Sequence, residues 1–246
     1  MSEAEKPVLI VTAFREEFAA VLSRAADPRS RGDHVAARIG NASVALAMTG
    51  DGAKNASRRA AELCEKLAPS ALLGAGVAGA LSPDLGVGDM LVSRRVTDSA
   101  GDAPPPDAAL CSRALAIAGI SAGTLVTIER PEVRATGKIS LGLAQESADP
   151  LAADMESAGW ARAAAAHSVP YLVVRAITDA VAEDLPEYLA RCVGRDGGIN
   201  RSSVVLRALS SPTTIPALLK MRSRVRECAR SLGAFLEIFL SPAKTK

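Results

Sequence analysis

The run Pro7 to Ala13 (PVLIVTA) carries no charge and one hydroxyl. A strand with one wet face alternates apolar and polar residues, whereas a continuous run of this kind is buried on both faces. Ser70 to Gly76 and Pro170 to Ile177 (PYLVVRAI) repeat the pattern, the latter interrupted only by Arg175. A sheet of such strands must be covered by helices on both sides, and the intervening sequence supplies them. Phe14 to Ala26 places Phe18, Val21 and Leu22 at helical spacing, and Asn55 to Leu67 is helical until Pro69 stops it. Asp107 to Ala118 and the Ala-rich Met155 to His167 add two more helices. Strands are expected at His34 to Gly40 and Ala42 to Thr49, joined at Gly40-Asn41 as a tight hairpin, and again at Val87 to Val96 and Gly123 to Ile128. Ala100 to Pro106 (AGDAPPP) reads as loop. The predicted fold is α/β, a three-layer α/β/α sandwich with a mixed, mostly parallel central sheet.

A chain of 246 residues fits one large domain, taken here as 1–246, with 199–246 a helical C-terminal extension. Ile215 to Leu240 sets Leu218, Leu219, Val225, Leu232 and Phe235 among Lys220, Arg222, Arg224, Arg226 and Arg230. This basic amphipathic segment either packs its stripe on the domain, arginines in solvent, or makes a peripheral membrane contact. The net charge of +2 and 3% aromatic content speak against a nucleic-acid partner, which needs a basic excess or stacking rings. Four scattered cysteines and two histidines form neither a zinc-ligand cluster nor a disulfide framework, and read as thiols in a reducing cytoplasm. The opening MSEAEKPVLIV lacks the basic n-region of a signal peptide.

Gly74, Gly76 and Gly79 match the G-x-G-x-x-G dinucleotide fingerprint. The required helix cannot follow, because the next segment (ALSPDLGVGD) holds Pro83, Gly86 and Gly88. What remains is a strand end whose backbone lies close to a ligand or to another strand. Acids also fall at strand ends, where open α/β sheets bind ligands: Glu16 and Glu17, Asp154 and Glu156, and Asp179. Carboxylates without a metal cluster or phosphate cradle suit hydrolysis of a glycosidic bond, one protonating the leaving group and one activating water.

From Val8 to Asp184 the chain resembles the nucleoside phosphorylase and nucleosidase superfamily, in particular its methylthioadenosine/S-adenosylhomocysteine nucleosidases. The likeness rests on Thr49-Gly50-Asp51-Gly52, on Gly74 to Gly79, on Val87-Gly88-Asp89, and above all on Asp154-Met155-Glu156 and Arg175-Ala176-Ile177-Thr178-Asp179. It implies that Glu17 activates the attacking water and that Asp179 protonates purine N7, with Thr178 assisting at the same edge. It implies that Met155 and Glu156 hold the ribose, and it sets Gly76 and Val77 beside the substrate. Gly74 and Val77 stand where the superfamily's phosphorylases hold phosphate with an arginine and a hydroxyl, which favours water as nucleophile. Ile128 to Thr136 lacks the aromatic that stacks on the base in nucleosidases. The segment VVLRALSSPTTIPALLKMRSRVRECARSLGAF is similar to the tail of the hopanoid-associated subgroup, which releases adenine from adenosylhopane. The expectation is a purine nucleosidase acting on a 5′-modified adenosine-type nucleoside, free of metal and cofactor, cytoplasmic and homodimeric. A phosphate-using phosphorylase and a nucleoside-binding module without catalysis are the alternatives.

Overall fold

The computed structural model describes residues 6–187 and 215–241. The three apolar runs become β1 (Val8–Thr12), β5 (Ala71–Ala80) and β10 (Tyr171–Asp179), which lie side by side and parallel at the centre of the sheet. Successive residues feed opposite layers. Leu9 and Val11 face α2 (Ala53–Leu67) and α5 (Ser157–Ala166), whereas Ile10 faces α1 (Arg15–Leu22) and α6 (Ile215–Leu240). Trp160, Leu63 and Ala164 fill the first layer, and Val21, Leu232 and Phe235 the second, so the sheet has helices on both faces as predicted.

The sheet is mixed and partly closed. On one side of β5 it continues through β1 to the parallel β4 (Ala42–Met48), the antiparallel β3 (Val35–Ile39) and the edge strand β2 (Ala26–Ser30). On the other side five strands form a ring: β5 pairs β10, β10 pairs β6 (Met90–Asp98), β6 pairs β8 (Ile120–Thr127), β8 pairs β9 (Leu151–Asp154), and β9 returns to β5 at Gly79–Ala80. Register shifts at Ser93/Arg95 and Ile177/Asp179 supply the curvature that closure needs. The second shift falls at Thr178 and Asp179, whose side chains it re-aims.

Four elements depart from the sequence expectation. The first predicted helix stops early, at Leu22, and β2 (ADPRS) begins at its expected last residue, Ala26, and runs on where no element was predicted; it is wholly exposed and pairs with β3. β9 and α4 (Ala135–Leu143) arise where no element was predicted, and the two-residue β7 (Gly101–Asp102) sits in the expected loop. The tail segment forms one helix, α6, with Cys228, Leu232, Phe235, Leu236 and Phe239 buried against the domain. From Cys228 onward its apolar stripe is therefore occupied by packing, whereas Leu219 is exposed, and most of its described basic side chains lie outside. Residues 199–214 and 242–246 of the predicted extension lie outside the described residues. Among the described residues no helix is long and apolar enough to cross a membrane.

Candidate active site

The glycines of β5 are set by what lies against them. An ideal Cβ on Gly76 would stand 2.0 Å from Arg175 Nη1 and 2.9 Å from Glu17 Oε1, and one on Gly79 would stand 2.8 Å from Asp179 Oδ2. The strand thus comes close to protein side chains, charged ones at Gly76 and Gly79 and the Trp160 ring at Gly74.

Beneath this strand lies a buried cluster of one guanidinium and three carboxylates. Glu17, in the first turn of α1, is fully buried; its carboxylate accepts from the backbone N–H groups of Ala13 (2.9 Å), Phe14 (3.3 Å) and Val77 (2.9 Å). Arg175, on β10, donates from Nε to Asp154 Oδ2 (3.0 Å) and from Nη2 to Glu156 Oε2 (3.3 Å), and its guanidinium lies 4.7 Å from the Trp160 ring centre. Asp154 also accepts from Thr127 Oγ1 and from the N–H groups of Glu156 and Ser157. It is thereby used in fixing the turn that aims Glu156. Gly52 N–H binds the other Glu156 oxygen at 3.0 Å, linking it to the Thr49–Gly52 turn.

Three carboxylates around one cation are under-neutralised. Burial pushes Glu17 up to about 8 from an ordinary 4.5, against the pull of Arg175 and with a further push from Glu156. Burial likewise raises Glu156 to about 7, opposed by Arg175 and assisted by Asp154. For Arg175 burial acts downward, but Asp154, Glu156 and Glu17 together hold it above the ordinary arginine value.

Asp179 ends β10 in a different setting. Its Oδ2 meets the ammonium of Lys138 at 2.5 Å and its Oδ1 lies 2.8 Å from Thr178 Oγ1. Lys138 comes from α4, is 2% exposed, and also donates to the carbonyls of Ala180 (3.1 Å) and Glu183 (2.9 Å). It was not singled out from the sequence. The available signal was its isolation as the one charged residue between Arg134 and Glu146.

A cavity opens between these groups. Val77, Met155, Glu156, Thr178 and Asp179 line it, together with Phe14, Leu81, Ile128, Pro131 and Lys138. Five of the seven predicted site residues therefore meet on one surface. Gly76 and Glu17 stand directly behind it, joined to the wall by the Glu17–Val77 hydrogen bond. Glu16 is half-buried beside Glu17, away from the lining. Among the described residues lining the cavity, Lys138 is the one cation, and no cluster of three or more His, Cys, Asp or Glu could hold a metal.

The family model of the phosphorylase superfamily matches residues 7–195. The chain is 27% identical over 199 residues to a 5′-methylthioadenosine/S-adenosylhomocysteine nucleosidase from Maridesulfovibrio salexigens, covering 71% of this chain and 86% of that one. It is 27% identical over 192 residues to the enzyme of that name from Staphylococcus carnosus, covering 70% and 84%. The fold is shared with the S-adenosylhomocysteine nucleosidase of Streptococcus pyogenes, with a TM-score of 0.73 at 20% identity over 98% of both chains. The futalosine hydrolase of Helicobacter pylori also shares it, with a TM-score of 0.70 at 18% identity over 96% of this chain and 97% of that one. With more than three-quarters of its length matched by one family model, this chain belongs to the phosphorylase superfamily.

Proposed function

We propose that the chain is a purine nucleosidase that cleaves the N-glycosidic bond of a 5′-modified adenosine-type nucleoside, with water as nucleophile. The observation carrying this reading is the approach of the Glu156 and Asp179 carboxylates to one cavity whose lining cation, Lys138, is already bound to Asp179. An incoming phosphate dianion needs a cation or a nest of donors. Arg175 is held by Asp154 and Glu156, and Val77 N–H by Glu17. Both named relatives are nucleosidases, which supports the same choice.

In this reading Glu156 accepts the ribose 2′ and 3′ hydroxyls, and Met155 packs on the sugar. Asp179, with Thr178 beside it, delivers a proton to N7 so that the base leaves neutral. Glu17 takes the proton of a water held on the cavity side of Val77, a contact that tightens once substrate is bound. As the sugar develops oxocarbenium character, the neighbouring carboxylates stabilise its positive charge. The chain acts as a single domain in which α6 braces α1, and as a cytoplasmic homodimer, whose assembly light scattering on the purified protein tests.

The test is release of adenine from a panel of 5′-substituted adenosines, with and without phosphate, adenosylhopane included for the likeness of the tail. Release independent of phosphate is expected. Dependence on phosphate, with ribose 1-phosphate as product, would make the chain a phosphorylase. Adenine binding without turnover would make it a binding module.

Two further outcomes are expected. A base with its pKa near 8 is active only when ionised, so kcat/KM should climb about tenfold per pH unit on the acid side before levelling near pH 8. Glu17→Gln should flatten that limb, and an unchanged limb would remove Glu17 from the role. Gly79→Ala should press a methyl on the Asp179 carboxylate and lower kcat by about 10–100-fold with KM little altered. Steady-state kinetics of the folded variant check this.

A further inference from the structure

Asp179 rests as one half of an ammonium–carboxylate pair, and such a pair carries its proton on nitrogen. If Asp179 is the acid, as the proposed function holds, that proton has to come from its partner. Resting on that reading, we propose that Lys138 is the proton source of the reaction, the Lys138–Asp179 pair acting together as one acid.

The hydrogen-bond inventory fits both positions of the proton. As an ammonium, Lys138 has three N–H groups and three acceptors: Asp179 Oδ2 at 2.5 Å, Ala180 O at 3.1 Å and Glu183 O at 2.9 Å. As an amine it keeps two N–H groups for the two carbonyls and turns its lone pair to the Asp179 hydroxyl, so no buried donor is orphaned. Thr178 can turn its hydroxyl proton from Asp179 Oδ1 to Ala78 O, 3.2 Å away, as the carboxyl changes state. Lys138 is buried and also lines the cavity, so an uncharged base entering there removes water from the pair. Loss of that water favours the neutral amine and carboxyl over two separated charges.

The step balances. A Lys138 Nζ–H bond breaks and an Asp179 O–H bond forms. The C–N glycosidic bond then breaks with its electron pair passing to the base, as the Asp179 proton moves to N7; the oxygen of the attacking water bonds to the sugar carbon, and the proton it sheds passes to Glu17 and from there to solvent. The carboxylate and the neutral amine remain, and solvent returns one proton to Lys138 after the products leave.

Arginine keeps the charge and the donors of Lys138 but does not release a proton. Lys138→Arg should therefore lower kcat on a 5′-substituted adenosine by about 10²–10⁴-fold. It should leave turnover of p-nitrophenyl riboside, whose phenolate departs without an acid, within about threefold of wild type. Near-normal release of adenine by Lys138→Arg, or an equal fall on both substrates, would overturn the proposal, since a purely positional lysine is rescued by arginine and a structural one affects both leaving groups. If Lys138→Arg does not fold, Lys138→Gln is read the same way. Failure of the wild type to act on any nucleoside or on the nitrophenyl riboside would instead refute the nucleosidase reading.

Discussion

Asp179→Asn should lower kcat for adenine release by about 10²–10⁴-fold, the range associated with loss of a general acid. The amide fits the site: its oxygen takes the place of Oδ2 opposite Lys138, and its NH2 donates to Thr178 Oγ1, which turns its own proton to Ala78 O. The charge does not fit as well. Lys138 is left buried without a counter-ion, and breaking such a pair costs about 3–5 kcal/mol. The variant should therefore be folded but less stable. Turnover within tenfold of wild type would remove Asp179 from the reaction.

Arg175→Met should be the most destabilising single change in the site. It leaves Asp154, Glu156 and Glu17 buried without their cation, and a loss of about 3–5 kcal/mol is expected near pH 8. The sign of the pH dependence follows from the carboxyls. Glu17 and Glu156 are raised from 4.5 to about 8 and about 7, so the folded state holds protons that the unfolded state has released. Their contribution is present in full below about pH 4.5 and is lost as pH rises through 7 to 8. Removing the guanidinium takes away the influence that lowers both values, so the variant should suffer most at alkaline pH and recover part of its deficit near pH 5–6. Thermal unfolding at the two pH values measures this; equal losses at both would mean that the cluster is neutralised in another way.

The strands at the centre of the sheet were legible because burial on both faces leaves a continuous apolar run, as in Val8–Val11 and Tyr171–Val174. The candidate acids were legible because sheet topology sends them to strand ends, and Asp179 is the last residue of β10. What escaped is set by contacts distant in sequence. ADPRS forms β2 only because β3 offers it an edge. The α4 sequence holds two glycines, poor helix formers, and a Cβ on Gly142 would stand 2.4 Å from the carbonyl of Leu81, so packing dictates what propensity opposes. Lys138 gives no local hint of its role, since Asp179 lies 41 positions away. The G-x-G-x-x-G spacing was rightly refused as a nucleotide fingerprint, but nothing in the sequence told that Arg175, Glu17 and Asp179 required the missing side chains.

The five-strand closure has a consequence for how activity is acquired. Val77, Lys138, Glu156 and Asp179 face one another only when β10 has slotted between β5 and β6 and β9 has met β5. A nascent chain that has not yet emitted residue 179 possesses no rudimentary version of the pocket, nor does a refolding molecule with that slot empty. Catalysis should thus return only once these strands have docked, making substrate turnover a clock for closure of the ring.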